Sequence, residues 1–178
     1  MIIVICGRSG AGKTTLKDRI LKNHSDISPI ITYTTRALRP GEVEGVDYHF
    51  VTEERFNINE KLTLKRSVVV GQYGVDIDDL ANNNQLTILD VAGIQGLCAL
   101  ALPQKLKLIF LQFSTSELIS RLLHRGDTLS DIQRRLGADE DTELMNLPTM
   151  FPKAELITIK SGNIDEVYQR AIDFIKEH

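Results

Sequence analysis

Residues 2–6 form an unbroken apolar run, Ile2-Ile3-Val4-Ile5-Cys6, and directly after it come Gly7-Arg8-Ser9-Gly10-Ala11-Gly12-Lys13-Thr14-Thr15. The second stretch fits the pattern G-x-x-x-x-G-K-[ST] at every fixed position, between a strand and a helix as that pattern requires. Glycine is needed because successive N–H groups turn inward on a tight curl that a Cβ at those places would obstruct. Lys13 adds a point charge for the β and γ phosphates of a nucleoside triphosphate, and the Thr14 hydroxyl is suited to ligate Mg²⁺. The helix that begins at Thr14 and Thr15 aims its positive end at the same anion. A Gly/Ser/Lys-rich surface turn is the plain alternative, and the match in its required context argues against it.

Composition bounds the rest. With 178 residues, 42% hydrophobic and 25% charged, the chain has length for one domain with a sizeable core. Its 21 basic and 24 acidic residues give a net charge of -3, against the basic face a dedicated nucleic-acid binder needs. Cys6 and Cys98 lie in apolar stretches without metal or redox spacing and read as buried free thiols. No basic leader opens the chain and no apolar run approaches the ~20 residues that span a bilayer, so a cytoplasmic protein without a membrane partner is expected. Histidines 24, 49, 124 and 178 show no ligand spacing and are assigned no metal.

A helix is expected from Thr14 to about Asn23, with Leu16, Ile20 and Leu21 on one face. Ile30-Ile31 then starts an extended segment into Thr32-Tyr33-Thr34-Thr35-Arg36-Ala37-Leu38-Arg39. Its hydroxyls and two guanidiniums can donate many hydrogen bonds to a phosphate; a Thr-rich edge strand with solvated arginines is the equal alternative. Glu53 to about Leu62 reads as a helix and Thr63 to Val70 as a strand ending at Gly71-Gln72-Tyr73-Gly74. Asp78-Asp79-Leu80 begins or precedes a helix, and residues 82–84 are a turn. Leu86-Thr87-Ile88-Leu89-Asp90 reads as a buried parallel strand whose terminal acid either holds Mg²⁺ or caps the next helix, the metal being preferred. Leu106 to Phe113 reads as a continuous apolar strand. Ser114-Thr115-Ser116-Glu117 then caps a helix from Leu118 to Arg125. Ala154 to Ile159 reads as the last strand, and Ile164 to Lys176 as an amphipathic helix with Val167, Ala171, Ile172 and Ile175 inward.

Three blocks, Thr34-Thr35-Arg36, Arg39-Pro40-Gly41-Glu42 and Gly45-Val46-Asp47-Tyr48-His49-Phe50-Val51, together with the loop, resemble the guanylate kinases and guanylate-kinase-like domains. The resemblance implies that Thr32, Arg36, Arg39, Tyr48 and Tyr73 hold the phosphate of a monophosphate acceptor, with Glu42 orienting the arginines. It also implies a lid, in which Arg121, Arg125 and Arg135 close over the moving phosphoryl group; without it, arginines on two amphipathic helices read as solvated charge. The chain departs from the family where the base is read: no carboxylate lies between Glu60 and Asp76, and Ala92 or Gly93 stands where a second acid is expected after Asp90. For guanine to be the acceptor, backbone groups or side chains such as Ser67 or Gln72 would have to replace them. The family's Asn-Asp step near the adenine gives way to Lys160-Ser161-Gly162-Asn163.

The expectation is therefore an α/β fold: a P-loop three-layer fold with a parallel sheet flanked by helices, in one domain. Its core would be 1–30, 81–120 and 153–178, with an inserted acceptor-binding subdomain at about 31–80 and a lid at about 121–145. The implied activity is that of an ATP- and Mg²⁺-dependent nucleoside monophosphate kinase, GMP being the family's acceptor. Another nucleotide, or a phosphorylated sugar such as ribose 1,5-bisphosphate, is the alternative acceptor, and a non-catalytic binding module the rival class. Monomer and homodimer both stay open.

Overall fold

The structure, a computed structural model, describes residues 1–39, 41–68, 71–81, 84–137, 144 and 146–177. Pro40, the last two residues of the expected strand at 63–70, Asn82 and Asn83 of the expected turn, and much of the lid beyond residue 137 lie outside them.

β1 (Ile2–Gly7) explains its own composition: Ile3 and Ile5 point into one hydrophobic core, and Ile2, Val4 and Cys6 into another. A strand covered on both faces has no use for alternation, so every residue is apolar. The first core is closed by Leu16 and Ile20 of α1 (Lys13–Asn23) and by Val167, Ala171, Ile172 and Ile175 of the C-terminal helix, the last four as expected. The second is closed by Ile94 and Leu97 of α3 (Val91–Ala99) and by Leu147 and Phe151. Full burial of each such side chain contributes roughly 1.5–3 kcal/mol.

The main sheet is parallel throughout, in the order β2 (Ser28–Pro29), β7 (Gln85–Ile88), β1, β8 (Leu106–Leu111), β9 (Glu155–Ile159). Helices lie on both faces: α1 and α3, then α4 (Thr115–His124), α5 (Leu129–Gly137), α6 (Leu147–Met150) and α7 (Ile164–Lys176). β1 sits between β7 and β8, where the chain's crossovers change direction, so its carboxyl end opens on the crevice that receives ligands in such sheets. The loop at Gly7–Gly12 emerges there.

A second sheet grows from residues 33–76: β3 (Tyr33–Thr34), β4 (His49–Phe50), β5 (Leu62–Val68) and β6 (Gly71–Asp76), ordered β4-β3-β6-β5. Here the structure corrects the sequence reading. The helix expected to reach Leu62 is α2 (Glu53–Ile58) and stops early, because the Asn59 side chain accepts the Lys61 N–H in a turn and Leu62 is drawn into pairing with Asp76. Gly71 to Gly74, read as a strand's end, is the start of β6. Two glycines hid a strand that long-range pairing with β5 and β3 defines.

Two further corrections concern polar groups. Cys6 is buried as expected, and burial pushes its thiol up to about 12; Cys98 is exposed on α3. The run from Leu106 is not wholly apolar, since Lys107 is 1% exposed. Its Nζ donates to the carbonyl oxygens of Phe174 at 2.7 Å, Ile175 at 3.3 Å and Glu177 at 2.6 Å, and lies 3.2 Å from Glu155 Oε2. The ammonium thus satisfies the carbonyls that end α7, at the negative pole of that helix. Lys107→Met leaves them without a donor and should lower the unfolding free energy by about 3 kcal/mol. Urea titration with an unchanged m-value checks this, and a loss below about 0.5 kcal/mol would show that water replaces the lysine.

Candidate active site

The loop folds as its sequence requires. Gly12 caps α1 at φ 89°, and a Cβ built on Gly7 would stand 2.5 Å from the Leu111 carbonyl oxygen. Lys13 turns back over the curl, its Nζ donating to the carbonyl oxygens of Gly7 at 2.6 Å and Arg8 at 2.8 Å. This braces the loop and holds the ammonium beside the inward N–H groups.

A cavity of about 590 Å³ opens over the loop, lined by Ser9, Gly10, Ala11, Gly12, Lys13, Thr14 and Thr15. Its walls bring in Arg39, Arg121, Arg125 and Arg135, three of them from the two expected lid arms, α4 and α5. Arg121 lies 3.9 Å from the centre of the Phe113 ring and donates to the Ala11 carbonyl at 3.4 Å. Asp127, to which the sequence reading gave no role, sits between Arg125 Nε at 2.6 Å and Arg135 Nε at 3.3 Å. Its hydrogen bond from Arg125 holds the carboxyl well below its usual range. Gly162 and Asn163 complete the wall, and the Asn163 side chain is used to cap α7.

A second cavity, of about 250 Å³, adjoins the loop from the other side, lined in part by Gly7, Lys13, Thr32, Tyr48 and Tyr73. Lys13 lines both cavities. Arg36 is 7% exposed, its Nη1 and Nη2 donating to Glu42 at 2.7 and 2.6 Å and its Nε to the Tyr73 hydroxyl at 3.2 Å. It also stacks 4.7 Å from the Tyr48 ring centre. Burial raises Tyr48, which keeps its phenol a donor. Glu42 accepts the Arg39 backbone N–H as well, so one carboxylate fixes the path of both arginines. The Arg39 side chain lines the larger cavity, away from the acceptor position read from the sequence.

Asp90 caps α3, accepting the Gly93 N–H at 2.8 Å, and pairs with Arg66. The structure thus gives it the helix-capping role that the sequence reading ranked second. Arg66, which that reading missed, reaches the cavity from β5 opposite Tyr73; the signal was a cation in the stretch between Glu60 and Asp76 that holds no carboxylate. Ser67 and Gln72 do not line the cavity.

The chain matches the family model described as guanylate kinase over residues 1–176. It belongs to the guanylate kinase family. A guanylate kinase of Neisseria gonorrhoeae is 38% identical over 145 residues, covering 76% of this chain and 70% of that protein. One from Schizosaccharomyces pombe is 38% identical over 179 residues, covering 94% and 86%. The crystal structure of guanylate kinase from Anaplasma phagocytophilum superimposes with a TM-score of 0.70 over 99% of this chain and 84% of that one, at 22% identity. This family member is accordingly a phosphotransferase of the nucleoside monophosphate kinase type, in a family whose co-substrate is ATP. Among the described residues no helix is long and apolar enough to cross a membrane.

The Arg36–Glu42 pair gives this kinase a pH signature. Glu42 lies below its ordinary value of 4.5, chiefly through the hydrogen bonds from Arg36. A depressed folded-state pKa adds stability that is complete above 4.5 and is lost as the pH falls through the folded value. Glu42→Gln should therefore destabilise the protein by about 2 kcal/mol at neutral pH, and the gap to wild type should narrow below pH 4.5. Urea unfolding at both pH values checks it; a constant gap would mean that the carboxylate's charge is not what holds Arg36.

Proposed function

We propose that the protein transfers the γ-phosphoryl group of ATP to a nucleoside monophosphate, GMP being the first candidate because the curated relatives are guanylate kinases. The observation that carries this reading is Lys13, the side chain shared by the cavity over the loop and the one beneath the tyrosines. A cation at the junction of two anion sites neutralises charge on a group passing between them.

The donor triphosphate would lie on Gly7 to Thr15, with Arg121, Arg125 and Arg135 over the moving group. The acceptor phosphate would meet Thr32, Arg36, Tyr48 and Tyr73, with Arg39 reaching in from the donor side and Glu42 as orienting partner. An anionic acceptor oxygen needs no general base, so positioning and charge supply the catalysis. Mg²⁺ suits this oxygen-rich site: the Thr14 side chain is exposed beside Lys13, and a hard cation that keeps its waters needs few protein ligands besides phosphate. Asp90 has lone pairs beyond those given to Gly93 and Arg66, enough for a metal-bound water. Magnesium would polarise the phosphoryl oxygens. No nucleic acid is part of this reading.

ADP release with ATP and Mg²⁺ over GMP, dGMP, IMP, AMP, CMP, UMP and ribose 1,5-bisphosphate tests it. Turnover with a nucleoside monophosphate supports the reading; turnover with the sugar bisphosphate alone keeps the chemistry and replaces the acceptor. Lys13→Ala should lower kcat at least about 100-fold. A variant that keeps wild-type ligand binding, with no turnover in either protein, would make this a binding module.

A further inference from the structure

We propose that Arg66 reads the acceptor's base, and that it reads a carbonyl: the acceptor is a 6-oxopurine nucleotide selected at its O6 and N7 edge rather than at its 2-amino group. The inference rests on the kinase reading above and names the determinant of its acceptor.

Beyond the tyrosines the smaller cavity turns apolar, with Leu64, Val75, Ile88 and Leu89 in its lining. Apart from Lys13, its charged side chains are Arg66 and Asp90. A pocket that selects guanine by its N1–H and 2-amino donors needs an acceptor free to face them. Asp90 is the lining's one carboxylate, and its charge is already matched: Oδ1 takes the Gly93 N–H and Oδ2 forms an ion pair with Arg66 Nη1, which leaves a lone pair for a water but no unpaired negative charge to draw the two donors of guanine. The side chain that still has groups to offer is Arg66, whose Nε and Nη2 meet no protein acceptor among the described residues.

The backbone explains how an arginine comes to stand there. β5 shifts register between Thr63 and Arg66, and within the shift Leu64 takes φ 51°. Leu64 consequently packs against Gly96 of α3, where a Cβ would meet its Cδ2 at 2.9 Å. Arg66 is left on the cavity side opposite Tyr73, its guanidinium 5.4 Å from that ring's centre and tied to Asp90. A guanidinium held at a ring and a carboxylate presents its remaining N–H groups as a fixed fork. That fork matches two acceptors side by side, as O6 and N7 of guanine or hypoxanthine are, and opposes the 6-amino donor of adenine.

The charge balance excludes a second phosphate as the preferred target. Asp90 neutralises Arg66, and a neutral pair between apolar walls suits the edge and face of a base better than a dianion that must be desolvated there.

Steady-state ADP release with GMP, IMP and AMP, together with calorimetric binding of the same three, tests the inference on wild type, R66M and R66K. In wild type, kcat/KM for IMP should fall within about 10-fold of GMP and AMP should lie at least about 50-fold lower. R66M should bring the GMP-to-AMP ratio below about 10, mainly by raising KM for GMP, and R66K, which keeps the charge without the fork, should fall between. IMP at least about 50-fold poorer than GMP would overturn the inference, since the 2-amino group would then be read. So would an R66M protein that melts as wild type does and keeps the wild-type ratio, or an R66K protein with no change. If no acceptor turns over, the kinase reading falls, and binding decides: GMP and IMP bound with AMP refused upholds the role of Arg66, and any other pattern removes it.

Discussion

The active site depends on where β1 ends. This strand is buried on both faces at the centre of the parallel sheet, with β7 on one side and β8 on the other, and neither its register nor its depth can shift without exposing Ile2 to Cys6. The loop that follows therefore starts from a fixed point, and Gly7 leaves the sheet so close to Leu111 that no side chain fits. Lys13 then bonds the loop back on itself. The anion site is built before any anion arrives, so little ordering entropy remains to be lost on binding.

Around that point, carboxylates act as fixtures for arginines. Glu42 grips Arg36 with both oxygens and takes the Arg39 backbone; Asp127 holds Arg125 and Arg135; Asp90 holds Arg66. A long flexible cation would lose rotamer entropy each time it met a phosphate, and a carboxylate behind it removes much of that cost in advance. The acids differ in what they leave their partners. Arg36 gives Glu42 two of its nitrogens and Tyr73 a third, whereas Arg66 gives Asp90 one and keeps two for a ligand.

What the sequence made legible was local. The loop is contiguous, the Ser114–Glu117 capping box spans one helical turn, and α7 carries its inward residues at a regular spacing, so each was readable without knowing the fold. Most of the residues named from it line one of the two cavities because their motifs also are short, whereas Arg36 and Glu42 line neither and stand behind Tyr48 and Tyr73. What stayed hidden depends on partners far along the chain. The start of β6 reads as the end of the preceding strand until β3 and β5 pair with it; Lys107 is lost in a run read as apolar until α7 brings carbonyls some 70 residues away to its ammonium. Arg66 lies in β5 of the second sheet and Asp90 at the cap of α3, and neither by itself points to the other.

The same contrast resolves the charge. A chain with net charge -3 and no basic stretch looks poorly suited to two phosphorylated ligands. Yet Lys13, Arg39, Arg121, Arg125 and Arg135 line the larger of the paired cavities, with Asp127 bridging two of them, while the smaller holds Lys13 and the Arg66–Asp90 pair. Because a cleft with low-dielectric walls concentrates the field of the charges inside it, this local surplus outweighs an acidic exterior whose charges are screened within about 8 Å at physiological salt. Nucleotides with several negative charges are drawn into such a cleft. Composition gives no hint of such a surplus; the fold, by gathering dispersed arginines around the carboxyl end of one strand, accounts for it.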